Sequence, residues 1–483
     1  MARIPRSIVF VVAIVTAFRL IVGARVPLTE DETYYWMWSL HPAFGYLDHP
    51  PMVAWLIAAT SFLGHSPIAV RVLFIACEGL AAIFAGLAAA ELSGTAAAAG
   101  ASSLVFLMIP QIRFAFGEAL PDPPYLCFWA LALWMAVRLR RRGAWIDFVA
   151  LGIALGGTLL SRFFGWALAF GVVAWSSSAE NRELWSRGLW VSFVIALAAY
   201  VPFLAYDAAH GWQNMVFTMH DRQSLTANHA AEGGLVSTLR FLTITAVLCI
   251  AAYFVTIRAR YAILAWTALP LTLFLAAIAP FENVESYWLL GPLTSLCVGI
   301  GIAYVRAKRP VRAVLQGVLY AGAAIVAITA AFTALPERTQ ASMLRSGGIP
   351  KGSMNDGVYA WAPLASRVAS IALRRHAAVL TDVFETNSEL TYYGLEPIFI
   401  GEDGHVRQWR RWHANAAVPR NAVFVGYDRG DPKTMAMLSH AYVRVAAGPD
   451  IAIAFAGRPV AHFYTAFYSQ PRRDAATGLW DGY

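Results

Sequence analysis

Apolar residues arrive along this chain in blocks of about 20, without a polar face repeating at helical spacing inside them. A block of that length crosses ~30 Å of hydrocarbon as a helix. Reading the blocks in turn predicts spans at about 7–26, 67–91, 97–115, 124–140, 145–161, 163–177, 188–206, 235–257, 261–280, 288–305 and 311–335. A shorter apolar stretch, 52–63, is expected to lie along the membrane surface. With the N-terminus inside, an odd number of spans leaves the chain outside after residue 335. Outer loops then fall at 27–66, 116–124, 207–234 and 281–287. Beyond residue 335 the pattern changes. Residues 336–483 are polar and punctuated by Gly and Pro, with short β-like runs at 378–382, 422–427, 442–446 and 451–456 and a helical stretch at 432–440. The chain therefore reads as a polytopic α-helical membrane protein of about eleven transmembrane helices. Residues 1–335 form the membrane domain, and 336–483 form a small C-terminal α/β domain outside the membrane.

Composition agrees with the pattern. The chain is 58% hydrophobic and only 14% charged, where a soluble domain is about a quarter charged. Its 13% aromatic content suits interfacial belts. A net charge of +8 would fit a nucleic-acid binder, but the basic residues stand elsewhere. Arg138, Arg140, Arg141 and Arg142 end one apolar block, and Arg306, Lys308, Arg309 and Arg312 separate two others. Those are positions of cytoplasmic loops under the positive-inside rule. Few basic residues remain in the short outer loops, among them Arg25, Arg113 and Arg222. The first block has no small-residue cleavage site before Arg25 and reads as a retained helix. Cys77, Cys127, Cys249 and Cys297 all lie in apolar blocks, without metal-ligand or disulfide spacing. No Walker A or G-x-G-x-x-G motif is present, so nothing supports a nucleotide-driven activity.

The residues able to do chemistry cluster on the outer side. Glu30, Asp31 and Glu32 follow the first span and lead into Tyr34, Tyr35 and Trp36. A carboxylate at the bilayer face can serve as a general base, and aromatic faces pack on sugars and polyprenyl tails. The bland alternative is a solvated acidic loop. Asp48-His49-Pro50-Pro51 presents an acid and an imidazole on a stiff chain, or a turn with an N-cap. Asp122 opens a span, where the helix dipole alone would favour an acid. Arg162 interrupts an apolar stretch; a guanidinium there needs a cavity or an anion, and phosphate is a natural one. His210-Gly211-Trp212-Gln213-Asn214, then His220, Asp221 and Arg222, occupy the loop after the seventh span. Glu282, Glu285, Tyr287 and Trp288 precede the tenth, as a substrate contact or an interface anchor.

In order and topology these motifs resemble the GT-C glycosyltransferases of the protein O-mannosyltransferase type. The similarity is greatest to the bacterial branch of Rgt-type core transferases and lipid A aminoarabinose transferases. It covers roughly residues 7–300, and more weakly 381–394. The resemblance implies an inverting transfer of a hexosyl or pentosyl group from a polyprenyl-phosphate carrier, outside the inner membrane. The acceptor would be a cell-envelope component: lipid A or core oligosaccharide, another glycan, a lipid or a protein. Asp31 matches the family's loop-one aspartate, with Glu32 beside it, and Asp122 matches the second catalytic carboxylate. Arg162, His49 and Arg222 are the expected donor-phosphate contacts. His49 stands where the aminoarabinose transferase has lysine, and Arg162 where the family usually has Lys-Tyr or Lys-Phe. Tyr34, Tyr35, Asp48, His210, Trp212, Glu285 and Trp288 are the expected substrate contacts. Tyr287 replaces a histidine of many relatives. Some relatives hold a divalent metal ion near the loop-one acid, which makes such an ion a candidate cofactor. The rival from another class is a multi-span transporter or lipid-linked sugar flippase. It would carry its ionisable residues near the midplane, often on inverted repeats.

Overall fold

The computed structural model describes residues 5–108, 117–218, 261–279, 284–310, 356–400, 404–414, 416–427, 432–455 and 458–472, with scattered positions within 243–253 and 312–339. Arg113, His220, Asp221, Arg222, Cys249 and Glu282 lie outside the described residues, as do most of the expected spans 235–257 and 311–335. The chain divides into two compact units, one of Met1–Ala24 with Ala43–Ala330 and one of Arg25–Pro42 with Ala331–Tyr483.

The first unit is helical. Its described helices are α1 (Arg6–Gly23), α3 (Met52–Ala59), α4 (Pro67–Ser93), α5 (Ala96–Met108), α6 (Asp122–Arg142), α7 (Trp145–Ser161), α8 (Trp166–Ser176), α9 (Glu183–Ser186), α10 (Leu189–Ala209), α11 (Gln213–Val216), α12 (Ala262–Ile278) and α13 (Leu290–Arg306). Among the described residues, the helices at Pro67–Ser93, Leu189–Ala209 and Tyr287–Arg306 are long and apolar enough to cross a membrane, and shorter apolar helices accompany them. On α10, Trp190, Val194, Leu197 and Val201 form an exposed stripe at three- and four-residue spacing. Such a stripe is stable facing lipid and costly in water.

Small residues set the helix spacing. A Cβ at Gly301 of α13 would meet the Ser102 backbone of α5 at 2.4 Å, so glycine is what allows these helices to approach so closely. Several charged groups inside the bundle have partners. Arg19 of α1 bonds Glu78 of α4, and Arg71 donates to the Gly23 carbonyl at 2.8 Å. At the basic end of α6, Arg138 pairs with Asp147 at 2.9 Å and Arg141 with Glu91 at 3.1 Å. Three arginines in its last turn also complement the negative end of the helix dipole.

The second unit contains α2 (Glu30–Ser39), α14 (Trp361–Arg375), α15 (Phe384–Tyr392), α16 (Gly404–Trp412) and α17 (Pro432–Ala441) around a six-stranded sheet. The strands are β1 (Ala378–Thr381), β2 (Ile398–Phe399), β3 (Asn421–Tyr427), β4 (Tyr442–Ala447), β5 (Ile451–Phe455) and β6 (Arg458–Pro471). The order is β2-β1-β3-β6-β4, with β5 also on β6. β1 runs parallel to β2 and β3, while β6 runs antiparallel to β3, β4 and β5. Alternation on β3 builds two cores. Val423 and Val425 pack with Trp361, Leu364 and Val368 of α14. Ala422 and Phe424 pack with Leu438 of α17 and Tyr468 of β6.

Candidate functional site

The acidic segment after α1 is a helix, not an extended loop. Thr29 caps α2: its hydroxyl oxygen accepts from the Glu32 N–H at 3.4 Å, and the Glu32 carboxylate accepts from the Thr29 N–H at 3.0 Å. This capping box fixes the helix start and commits Glu32, which is fully buried, to the cap. Glu30 accepts from the indole N–H of Trp361 at 3.1 Å. The Thr33 and Ser388 hydroxyls bond at 3.2 Å. Tyr34 packs on Trp38, on Phe384 and on His405, with ring centroids 4.9, 4.7 and 5.5 Å away. Tyr35 lies beside Tyr34 and Trp38. Further along, Trp36 meets Tyr392 and His41 stacks on Trp412 at 4.5 Å. Residues 25–42 therefore belong to the C-terminal unit, although the chain pattern alone assigns them to an outer loop of the membrane domain. Asp31 stands in the first turn of α2, partly exposed.

The first unit holds a separate group of the expected residues. Asp122 at the start of α6 forms an ion pair with Arg162, which joins α7 to the 3-10 turn Phe163–Gly165. Their side chains are only 7% and 5% exposed. The guanidinium lies over the Tyr287 ring, 5.1 Å from its centroid. Trp288 packs on Phe164 at 5.2 Å, and Glu285 precedes them, partly exposed. Three sequence motifs thus converge on one buried cation. Asp48 and His49 are buried just before α3. In the loop after α10, the His210 ring bonds the Tyr206 carbonyl at 2.6 Å and Trp212 is exposed. Asn214, the last residue of that motif and one to which the sequence assigned no role, reaches the segment just before Asp48 and His49. Among the described residues no group of three His, Cys, Asp or Glu could hold a metal ion. No step is therefore assigned to the divalent ion that the resemblance implies.

No curated protein matches this chain. The family model of dolichyl-phosphate-mannose-protein mannosyltransferases matches residues 48–206, the stretch that holds Asp48, His49, Asp122 and Arg162. ArnT from Cupriavidus metallidurans in the apo state superposes with a TM-score of 0.60 at 14% identity, over 94% of this chain and 96% of that one. The same protein bound to undecaprenyl phosphate gives 0.60 at 14% identity, over 95% and 97%. The chain shares the GT-C fold of these ArnT structures. The oligosaccharyltransferase of Archaeoglobus fulgidus in complex with Zn and sulfate gives 0.49 at 13% identity, over 87% of this chain and 68% of that one.

The sequence pattern did not single out Glu389. It lies on α15 and is 1% exposed. Burial raises its pKa well above the usual carboxylate value, the Glu30 and Glu32 charges raise it further, and the Thr33 hydroxyl offsets part of that. A signal existed: Thr386, Asn387, Ser388 and Glu389 form an unbroken polar run, and all four are buried. A carboxyl whose folded pKa exceeds its unfolded pKa binds more protons in the native state between the two values. Its contribution to stability therefore falls as pH rises through that interval. Glu389→Gln removes the titration. Its melting temperature relative to wild type should rise between about pH 5 and about pH 8. A difference that stays flat or falls over that range contradicts a buried neutral Glu389.

Proposed function

We propose that this chain is an inverting glycosyltransferase that moves a sugar from a polyprenyl-phosphate carrier to a cell-envelope acceptor on the extracytoplasmic side. The observation that carries the reading is the buried Arg162–Asp122 pair roofed by Tyr287, in a chain whose fold is shared with a protein solved bound to undecaprenyl phosphate. As the bond from the anomeric carbon to the phosphate oxygen breaks, negative charge grows on the departing polyprenyl phosphate. A guanidinium stabilises that charge with a planar fork of donors, and most strongly where water is excluded. Asp122 serves as the counter-ion and orients Arg162 before donor arrives. Asp31 takes the proton of the acceptor hydroxyl or amine, whose lone pair forms the new bond on the face opposite the departing phosphate. The products are the glycosylated acceptor and the free polyprenyl phosphate. Tyr34 and Tyr35 supply apolar faces for the sugar or the tail. His49 is a further contact for the donor phosphate.

The same reading puts residues 336–483 outside the membrane. Ala369 is exposed on α14. Ala369→Cys protein should label with a membrane-impermeant maleimide in intact spheroplasts, while the wild-type chain should not. Labelling that requires lysis overturns the topology.

The function itself is tested with donor lipid labelled in the sugar. Purified protein should move the label to an envelope acceptor and release polyprenyl phosphate. Movement of intact labelled lipid across a proteoliposome membrane, without cleavage, would favour the flippase.

A further inference from the structure

We propose that Asn214, set by Asp207, is a positioning residue for His49. The proposal rests on the reading of His49 as a donor-phosphate contact. Asp207 sits in the last turn of α10. The chain then reverses through Gly211 and Trp212, both left-handed at φ 72° and 57°. That conformation is easy for glycine and costly for tryptophan, so something must hold it. Asp207 holds it twice: its backbone carbonyl accepts from the Trp212 N–H at 2.7 Å, and its carboxylate accepts from the Asn214 N–H at 2.8 Å.

Fixed this way, the Asn214 side chain reaches a segment some 170 residues earlier in the chain. Its amide donates to the Tyr46 carbonyl at 3.1 Å and to the Leu47 carbonyl at 2.9 Å. These are the two peptide oxygens immediately before Asp48 and His49. Asn214 is 1% exposed and Asp207 3%, so water cannot replace these bonds at low cost. The same segment is fixed from another direction. A Cβ at Gly45 would lie 2.8 Å from the Tyr206 ring and 3.0 Å from the Phe203 ring of α10. Pro50 and Pro51 stiffen the chain beyond His49. The result is an imidazole whose backbone is clamped on both sides, as a phosphate contact needs for leaving-group stabilisation. Simple helix termination does not require Asn214 to reach this segment, because the turn could close without it.

The test is a double-mutant cycle on the full-length protein, using the polyprenyl-phosphate sugar donor. Asn214→Ala should raise the KM for donor about tenfold, the loss expected of one to two net hydrogen bonds. It should change kcat much less. In a His49→Ala background the same substitution should add no more than about twofold, because a brace acting through His49 has nothing left to position. Asn214→Asp, which keeps the shape but removes the two donors, carries the same expectation if the alanine variant does not fold. A full additional rise in the His49→Ala background returns Asn214 to a purely architectural role. An unchanged KM in Asn214→Ala or Asn214→Asp also overturns the brace. An unchanged donor KM in His49→Ala alone identifies the other failure: the phosphate role of His49 falls first, and the brace with it.

Discussion

Asp31→Asn is expected to lower turnover by about 10²–10⁴-fold, the usual contribution of a positioned general base, while donor affinity stays within about twofold of wild type. The prediction separates Asp31 from its neighbours. Glu32 closes the capping box and Glu30 accepts from Trp361, so substitutions there act first on the helix that carries Asp31. Removing a cap of this kind costs about 1 kcal/mol. Glu32→Ala, which removes the acceptor for the Thr29 N–H, should therefore reduce activity together with the stability of α2. The experiment is turnover, donor affinity and thermal unfolding for the two variants side by side. Wild-type turnover in Asp31→Asn removes the acid from the mechanism.

The second large effect belongs to the Arg162–Asp122 pair. Truncating one partner leaves the other charge buried and unbalanced, at a cost of about 3–5 kcal/mol. Arg162→Ala and Asp122→Ala should each destabilise the protein strongly. Replacing both with apolar residues, as in Arg162→Met with Asp122→Leu, should recover most of that stability. Activity should behave differently. If the guanidinium stabilises the leaving phosphate, the stable double variant still transfers no sugar. Arg162→Lys, which keeps charge but loses the planar fork, retains more activity than Arg162→Ala. A double variant that is both stable and active assigns the pair to architecture alone.

Much of the membrane unit was legible because its signal is long. The helices expected at 67–91, 145–161 and 261–280 are observed as Pro67–Ser93, Trp145–Ser161 and Ala262–Ile278, the first of them long and apolar enough to cross a membrane; a run of apolar residues leaves a helix few alternatives in lipid. The short strands at 378–381, 421–427, 442–447 and 451–455 were also readable from alternation and turn residues. β6 was not. Its 14 residues, Arg458–Pro471, include His462, Thr465 and Ser469, so no apolar run marks it out. Its extent follows from pairing with three strands at once.

The site was legible in part. Asp122, Arg162 and the Tyr287–Trp288 turn were each visible as polar or aromatic interruptions near span ends. Their meeting is a tertiary fact that no local pattern encodes. The affiliation of α2 with the C-terminal unit was hidden for the same reason, since Trp361, Phe384, Ser388 and His405 all come from far along the chain. The role of Asn214 was hidden because an asparagine in a polar loop looks ordinary until both of its amide donors are traced. Arg19 and Glu78 show the converse, a buried charge pair inside the bundle that joins α1 to α4.

The central claim is sugar transfer from a polyprenyl-phosphate carrier, and one measurement reaches it directly. Purified wild-type protein and the Asp31→Asn variant are incubated in detergent with polyprenyl-phosphate sugar labelled in the sugar and with envelope extract as acceptor. The account predicts that wild-type protein moves label from the lipid to an extract component and releases unlabelled polyprenyl phosphate, while the variant binds the donor and leaves the label in place. Label that remains on the polyprenyl phosphate with wild-type protein, although the donor binds and the protein is folded, would contradict it.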